Sequence, residues 1–131
     1  IDFTLTLPGM FEVKEMDKLA YDLDSEILGK VIFSFTPDII MSPLALPRKL
    51  LESWIDDIIE SKLCKPVLID MLDQLKARPT FEEQWPDTYQ ESLAQGKRRV
   101  LQLESIRRDK FTLRDILSNR PEVLKWYEQI S

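Results

Sequence analysis

The stretch that decides the fold is residues 47–63, PRKLLESWIDDIIESKL. Leu50, Leu51, Trp54, Ile55, Ile58, Ile59 and Leu63 recur there at helical spacing, with Glu52, Asp56, Asp57 and Glu60 on the other side. One face needs a core and the other needs water, so the segment predicts an amphipathic helix. Pro47 suits a first-turn position, where a missing N–H is no loss. Pro66 restarts the pattern with Val67, Leu68, Met71, Leu72 and Leu75, which predicts a second helix packed on the first as a hairpin.

Downstream, Thr80 with Glu83 and Thr88 with Glu91 have capping-box spacing, and Pro86 between them breaks any continuous helix. The main helix is expected from near Pro86 to about Lys110, with Gly96 inside it. Two more helix starts follow, at Thr112 facing Asp115 and at Asn119 before Pro121, the latter leading into Val123, Leu124, Trp126, Tyr127 and Ile130.

Upstream, Phe3, Leu5 and Leu7 alternate with Thr4 and Thr6 up to Pro8-Gly9, the pattern of a short strand. Met16, Leu19, Ala20 and Leu23 predict a short helix. Gly29 then reads as a break before a second strand, Val31–Phe35, closed by Thr36-Pro37. The segment Ile39–Pro47, punctuated by prolines, reads as an irregular connector and a sub-domain boundary. The fold class expected is α+β, mainly α. An antiparallel bundle of four to five helices (46–131) carries a small N-terminal two-stranded β element (1–45), the two forming one compact domain.

Composition narrows the chemistry. The 131 residues include no histidine, one cysteine (Cys64) and three glycines. That leaves no Ser-His-Asp or Cys-His pair, no histidine-based zinc site and no glycine-rich phosphate loop, so no catalytic residue, metal or cofactor is expected. No uncharged stretch exceeds nine residues (Ile39–Pro47 is one), against the roughly twenty a membrane helix needs. A lone cysteine suits a reducing, intracellular setting, cytoplasmic or nuclear. The opening residue, Ile1, suggests a processed chain or a piece of a longer polypeptide.

Charge is unevenly spread. Residues 1–60 carry 12 acids and 5 bases, whereas residues 61–131 carry 11 acids and 13 bases. Within the second part Lys97, Arg98, Arg99, Arg107, Arg108, Lys110 and Arg114 stand against only Glu104 and Asp109, for a local +5. These seven bases are the candidates for nucleic-acid contact, although about 100° per residue spreads them around a helix and only Phe111 is aromatic nearby. Intramolecular pairing with carboxylates is the competing use of such arginines.

Short motifs offer little more. Asp22, Asp24 and Glu26 alternate as in a calcium loop, but Ile27 and Phe33 stand where that loop needs glycine and glutamate. Pro37-Asp38 followed by Glu60-Ser61-Lys62 resembles the metal-binding order of the PD-(D/E)xK nucleases, which would imply a Mg²⁺-dependent nuclease. That family places its glutamate and lysine on a strand, whereas here they end a helix, where positions i and i+2 diverge. Val123-x-x-Trp126-Tyr127-x-Gln129 resembles a homeodomain recognition helix but lacks the asparagine and arginines that would follow. Asp56, Asp57, Glu60, Asp70 and Asp73 are read as a solvated face, and Cys64 as a packed structural thiol.

The function expected is therefore a non-catalytic protein–protein interaction or assembly domain, an adaptor within a larger complex or polypeptide. A nucleic-acid module is the alternative and a metal-dependent nuclease the remote one. Trp126 and Tyr127, with Arg98 and Arg107, are the partner-binding candidates, being of the residue types that dominate binding hot spots. Acidic-to-basic complementarity also makes a homo-oligomer an expectation, and no membrane partner is expected.

Overall fold

The computed structural model describes residues 2–31, 39–108 and 111–130. Its first strand, β1 (Asp2–Leu5), buries Phe3 and Leu5 and exposes Asp2 and Thr4, as the alternation requires. A 3-10 turn at Pro8–Glu12 leads into α1 (Val13–Asp22), and β2 (Leu28–Val31) follows. The two strands pair in parallel, Asp2 opposite Leu28 and Phe3 opposite Gly29. A parallel pair needs a crossover, and α1 supplies it.

Two sequence expectations change here. Gly29 does not break the chain; it lies within β2, where a Cβ would come 2.1 Å from the Met71 sulfur. The missing side chain lets a later helix lie directly on the strand. The second strand also starts earlier than Val31, and residues 32–35 of the expected strand lie outside the described residues.

The buried stripe of α1 is Val13, Asp17 and Ala20, while Leu19 and Leu23 are exposed. The helix is thus rotated from the apolar face read in the sequence, and a carboxylate takes an inward position.

The helical part follows the periodicity closely. α2 (Arg48–Glu60) buries Leu51, Trp54, Ile55 and Ile58; α3 (Pro66–Ala77) buries Leu68, Met71, Leu72 and Leu75; and the two helices pack together. The start of α3 has no side-chain cap of its own. Asp17 provides one from a distance, accepting the backbone N–H of Cys64 at 2.9 Å and of Lys65 at 2.7 Å. An anion is favoured at a helix N-terminus, where unpaired N–H groups and the helix dipole coincide.

A short α4 (Phe81–Gln84) opens with the expected Thr80–Glu83 capping box. The long α5 (Tyr89–Arg107) starts beyond Pro86, but Thr88 makes no side-chain cap. It ends where Arg108 adopts φ of 53°, in the left-handed region. Next come α6 (Leu113–Leu117), with the expected Thr112–Asp115 box, and α7 (Pro121–Glu128).

The irregular connector is interior. Two 3-10 turns, Ile39–Met41 and Pro43–Ala45, bury Ile40, Leu44, Ala45 and Leu46 completely. A segment with no charge can be buried provided its backbone groups are paired. Leu7 N–H donates to the Met41 carbonyl at 2.7 Å, and the Ser42 hydroxyl accepts from Leu44 N–H. The molecule is mostly helical, with a small parallel two-stranded sheet at its N-terminal end. Its most extensive helix-to-helix packing is α2 on α3 and α6 on α7, while α5 lies chiefly on the Ile39–Met41 turn. Gly96 permits that approach: a Cβ there would meet the Ile40 side chain at 3.4 Å.

Candidate functional site

The features that invite a partner gather at the far end of α5. Its first half is anchored through Tyr89, Leu93 and Gly96, all buried. Beyond Val100 the helix leaves apolar side chains in water: Leu103 is 36% exposed, Leu101 48% and Ile106 69%, and Phe111 just past the helix is 72% exposed. Val100, Leu103, Glu104 and Arg107 share one side at i, i+3, i+4, i+7 and form one wall of a groove. Phe111, Leu113 and Ile116 form the other wall, and Thr6, Pro8 and Met41 complete the lining. The groove encloses about 360 Å³.

The groove is held open by hydrogen bonds. Glu104 Oε2 accepts the Leu113 N–H at 2.6 Å, tying the first turn of α6 to α5. Asp115 is engaged in its own capping box, whose backbone and hydroxyl hydrogen bonds from Thr112 hold its carboxyl below the usual range. Both walls are therefore fixed by local chemistry.

The residues nominated from sequence are distributed differently. Tyr127 is 1% exposed and belongs to the core, where its hydroxyl is buried without a hydrogen-bond partner among the described residues. Burial, reinforced by the negative charge of Glu104, pushes that hydroxyl's pKa up to about 12. Trp126 is half-buried and hydrogen-bonds to the Tyr89 hydroxyl, which in turn donates to the Ala45 carbonyl. Burial raises the Tyr89 pKa well above the ordinary tyrosine range, the Trp126 hydrogen bond opposing it. The Trp126–Tyr127 pair thus fastens α7 to α5 and to the buried connector.

The bases do not form one stripe. Arg98 and Arg107 stand nine positions apart, so at about 100° per residue they point to opposite sides of α5. Lys97 is spent internally, donating to the Tyr127 and Ile130 carbonyls, each at 3.0 Å, with its ammonium 4.8 Å from the Tyr127 ring centre. That is a cation at the C-terminus of α7, where the helix dipole favours it. Arg114 pairs with Glu128 at 3.1 Å. Arg98, Arg99, Arg107 and Arg108 are exposed, and Arg107 lines the groove; Lys110 lies outside the described residues.

Other motifs fall as follows. Glu60 ends α2 and Lys62 sits just after it at φ of 61°, while Asp38 lies outside the described residues. Asp22, Asp24 and Glu26 are exposed around a turn. Among the described residues no three His, Cys, Asp or Glu converge as a metal site. Two acids of the supposedly solvated face make ion pairs, Asp56 with Lys76 at 2.7 Å and Asp57 with Arg120 at 2.6 Å. Cys64 is exposed rather than packed, because its backbone, not its side chain, is what the fold uses. Among the described residues, no helix is long and apolar enough to cross a membrane.

Sequence reasoning missed the groove. The available signal was that Leu103 continues the Leu93–Gly96–Val100 line, and Phe111 follows the helix, with no further apolar segment of the sequence assigned to cover them. No protein-family model, curated protein or solved structure matches this chain.

Proposed function

We propose that this chain is a non-catalytic protein-binding domain whose docking surface is the groove between α5 and α6. The observation that carries this reading is the pair of exposed apolar residues Leu103 and Phe111 lining an apolar groove with hydrogen-bonded walls. Apolar side chains gathered at a concave site, with arginine beside them, are the makings of a binding hot spot. Trp126 and Tyr127 support that surface from within rather than forming it. The scaffold we infer is a helical bundle built on the α2–α3 hairpin. The exposed thiol of Cys64 fits a reducing, intracellular setting.

The test is quantitative capture of partners from native lysate with wild-type chain and with Leu103→Asp/Phe111→Ala, each shown to be folded by circular dichroism. The reading expects a stoichiometric protein partner that is lost from the double variant. Partners unchanged by the substitutions would contradict it.

A further inference from the structure

We infer that the outer edge of β2 takes an extended segment of a different protein as a third strand. The site shares no lining residue with the α5–α6 groove and does not rest on docking there. In a sheet of two strands, half of the backbone N–H and C=O groups on each strand point away from the other strand. On β1 the backbone is covered: Phe3 and Leu5 are 5% and 1% exposed, main chain included. Opposite Phe3 stands Gly29 of β2, which is exposed, and a glycine has only backbone to expose. Among the described residues, the backbones of Leu28 and Gly29 hydrogen-bond to no element other than β1. The open side of the sheet is therefore β2.

What recognises an open row of backbone groups is another extended backbone, because a helix has already spent its own groups on itself. Leu28 adds an apolar contact. It shares the face of Asp2, opposite the face on which Met71 packs against Gly29, and is 69% exposed. A strand laid beside β2 sets one of its residues alongside Leu28, where a β-branched or aromatic side chain covers it. A cleft of about 470 Å³, lined by the beginnings of both strands and by Val67 of α3, gives further side chains a seat. The sheet also gains most from such an addition. Two strands alone are marginal, and parallel pairing is the weaker kind per residue. A second copy is the poorer occupant, since pairing β2 with itself puts Gly29 into both strands of the new ladder, where it packs nothing.

The experiment is selection of displayed linear peptides of about ten residues on the whole wild-type chain, with the enriched sequences remeasured on Leu28→Asp and on Leu103→Asp. A class is expected with apolar residues at alternate positions, whose affinity falls about tenfold or more on Leu28→Asp and is unchanged on Leu103→Asp. Scanning N-methylation along such a peptide should weaken binding to the wild-type chain at every second residue, because only alternate N–H groups face β2. Leu28 is largely exposed, so its substitution leaves the fold intact, which circular dichroism checks. Absence of any Leu28-dependent class, or an N-methyl scan without the two-residue period, would overturn the inference. So would self-association of the chain that Leu28→Asp abolishes. The lysate comparison with Leu103→Asp/Phe111→Ala tests the α5–α6 groove alone, so either reading can fail without the other.

Discussion

The carboxylate of Asp17 lies 2.7 Å from the backbone nitrogen of Lys65, the residue that precedes the first turn of α3. The two are 48 positions apart, so this hydrogen bond joins the N-terminal β–α–β unit to the packed pair α2 and α3. Asp17 is only 6% exposed, yet each of its oxygens accepts a backbone N–H. A buried acid in an α1 stripe thereby becomes the cap that α3 lacks locally.

Asp17→Ala should destabilise the chain by about 2 kcal/mol, the scale of hydrogen bonds to a charged acceptor plus the N–H groups left unpaired. Asp17→Asn should recover part of this, keeping an acceptor without the charge. Urea unfolding followed by circular dichroism measures both. A loss below about 0.5 kcal/mol for the alanine variant would mean that α3 is capped by other means.

Gly96 permits α5 to approach the Ile40 turn without requiring a left-handed backbone. Its Cβ would stand 3.4 Å from Ile40, ordinary contact for a single methyl. Gly96→Ala should therefore raise stability by roughly 0.5–1 kcal/mol through helix propensity. Gly96→Leu has no such room and should cost roughly 1–3 kcal/mol. Thermal unfolding of the two variants tests the contrast, and equal effects would show that α5 does not rest on this turn.

Tyr127 gives a pH dependence with a definite sign. Its folded-state pKa, raised from about 10 to about 12 by burial and by Glu104, keeps the phenol neutral in the native state where the unfolded state already ionises. The stability so held is complete below about pH 10 and is lost as pH rises towards 12. Tyr127→Phe should shallow that alkaline slope. At pH 7 the same variant should be neutral or slightly stabilising, because the hydroxyl it removes is buried without a partner. Denaturation curves at pH 7 and above pH 10 check both; a large loss at pH 7 would reveal a bound partner for the hydroxyl.

Glu83 gives the opposite sign in acid. The Arg48 guanidinium, together with the Thr80 backbone N–H, holds its carboxyl down to about 2 from an ordinary 4.5. The contribution is present above about 4.5 and fades as pH falls towards 2. Both groups are near the surface, so the effect should be small and screened by salt. Arg48→Ala should reduce the acid-side slope in a pH titration of stability; an unchanged slope would show the pair to be dispensable.

Sequence and structure part company for reasons visible in single residues. Helices α2 and α3 were legible because each has an uninterrupted apolar stripe whose partner is the other. The Thr80 and Thr112 boxes were legible because capping is local. Asp17 was not, since nothing in its neighbours shows that a helix start 48 residues away lacks an anion. Gly29 read as a breaker because the Met71 side chain that excludes a Cβ comes from another element. The segment Ile39–Pro47 reads as an irregular connector on its prolines, and its want of charge is what allows Ile40, Leu44, Ala45 and Leu46 to be buried. Trp126 and Tyr127 have the composition of a hot spot, but composition does not distinguish a surface from the core behind it. The groove is left over from these placements: Leu103 is exposed because α5 outruns the elements available to cover it.

The most direct measurement is site-specific photo-crosslinking in native lysate. A benzophenone side chain replaces Phe111, which lines the groove, in one variant and Gln74, exposed on α3, in another. Docking on the α5–α6 groove predicts a discrete crosslinked protein from position 111 that Leu103→Asp abolishes, with none from position 74. Crosslinks equal at the two positions, or absent from position 111, would contradict it.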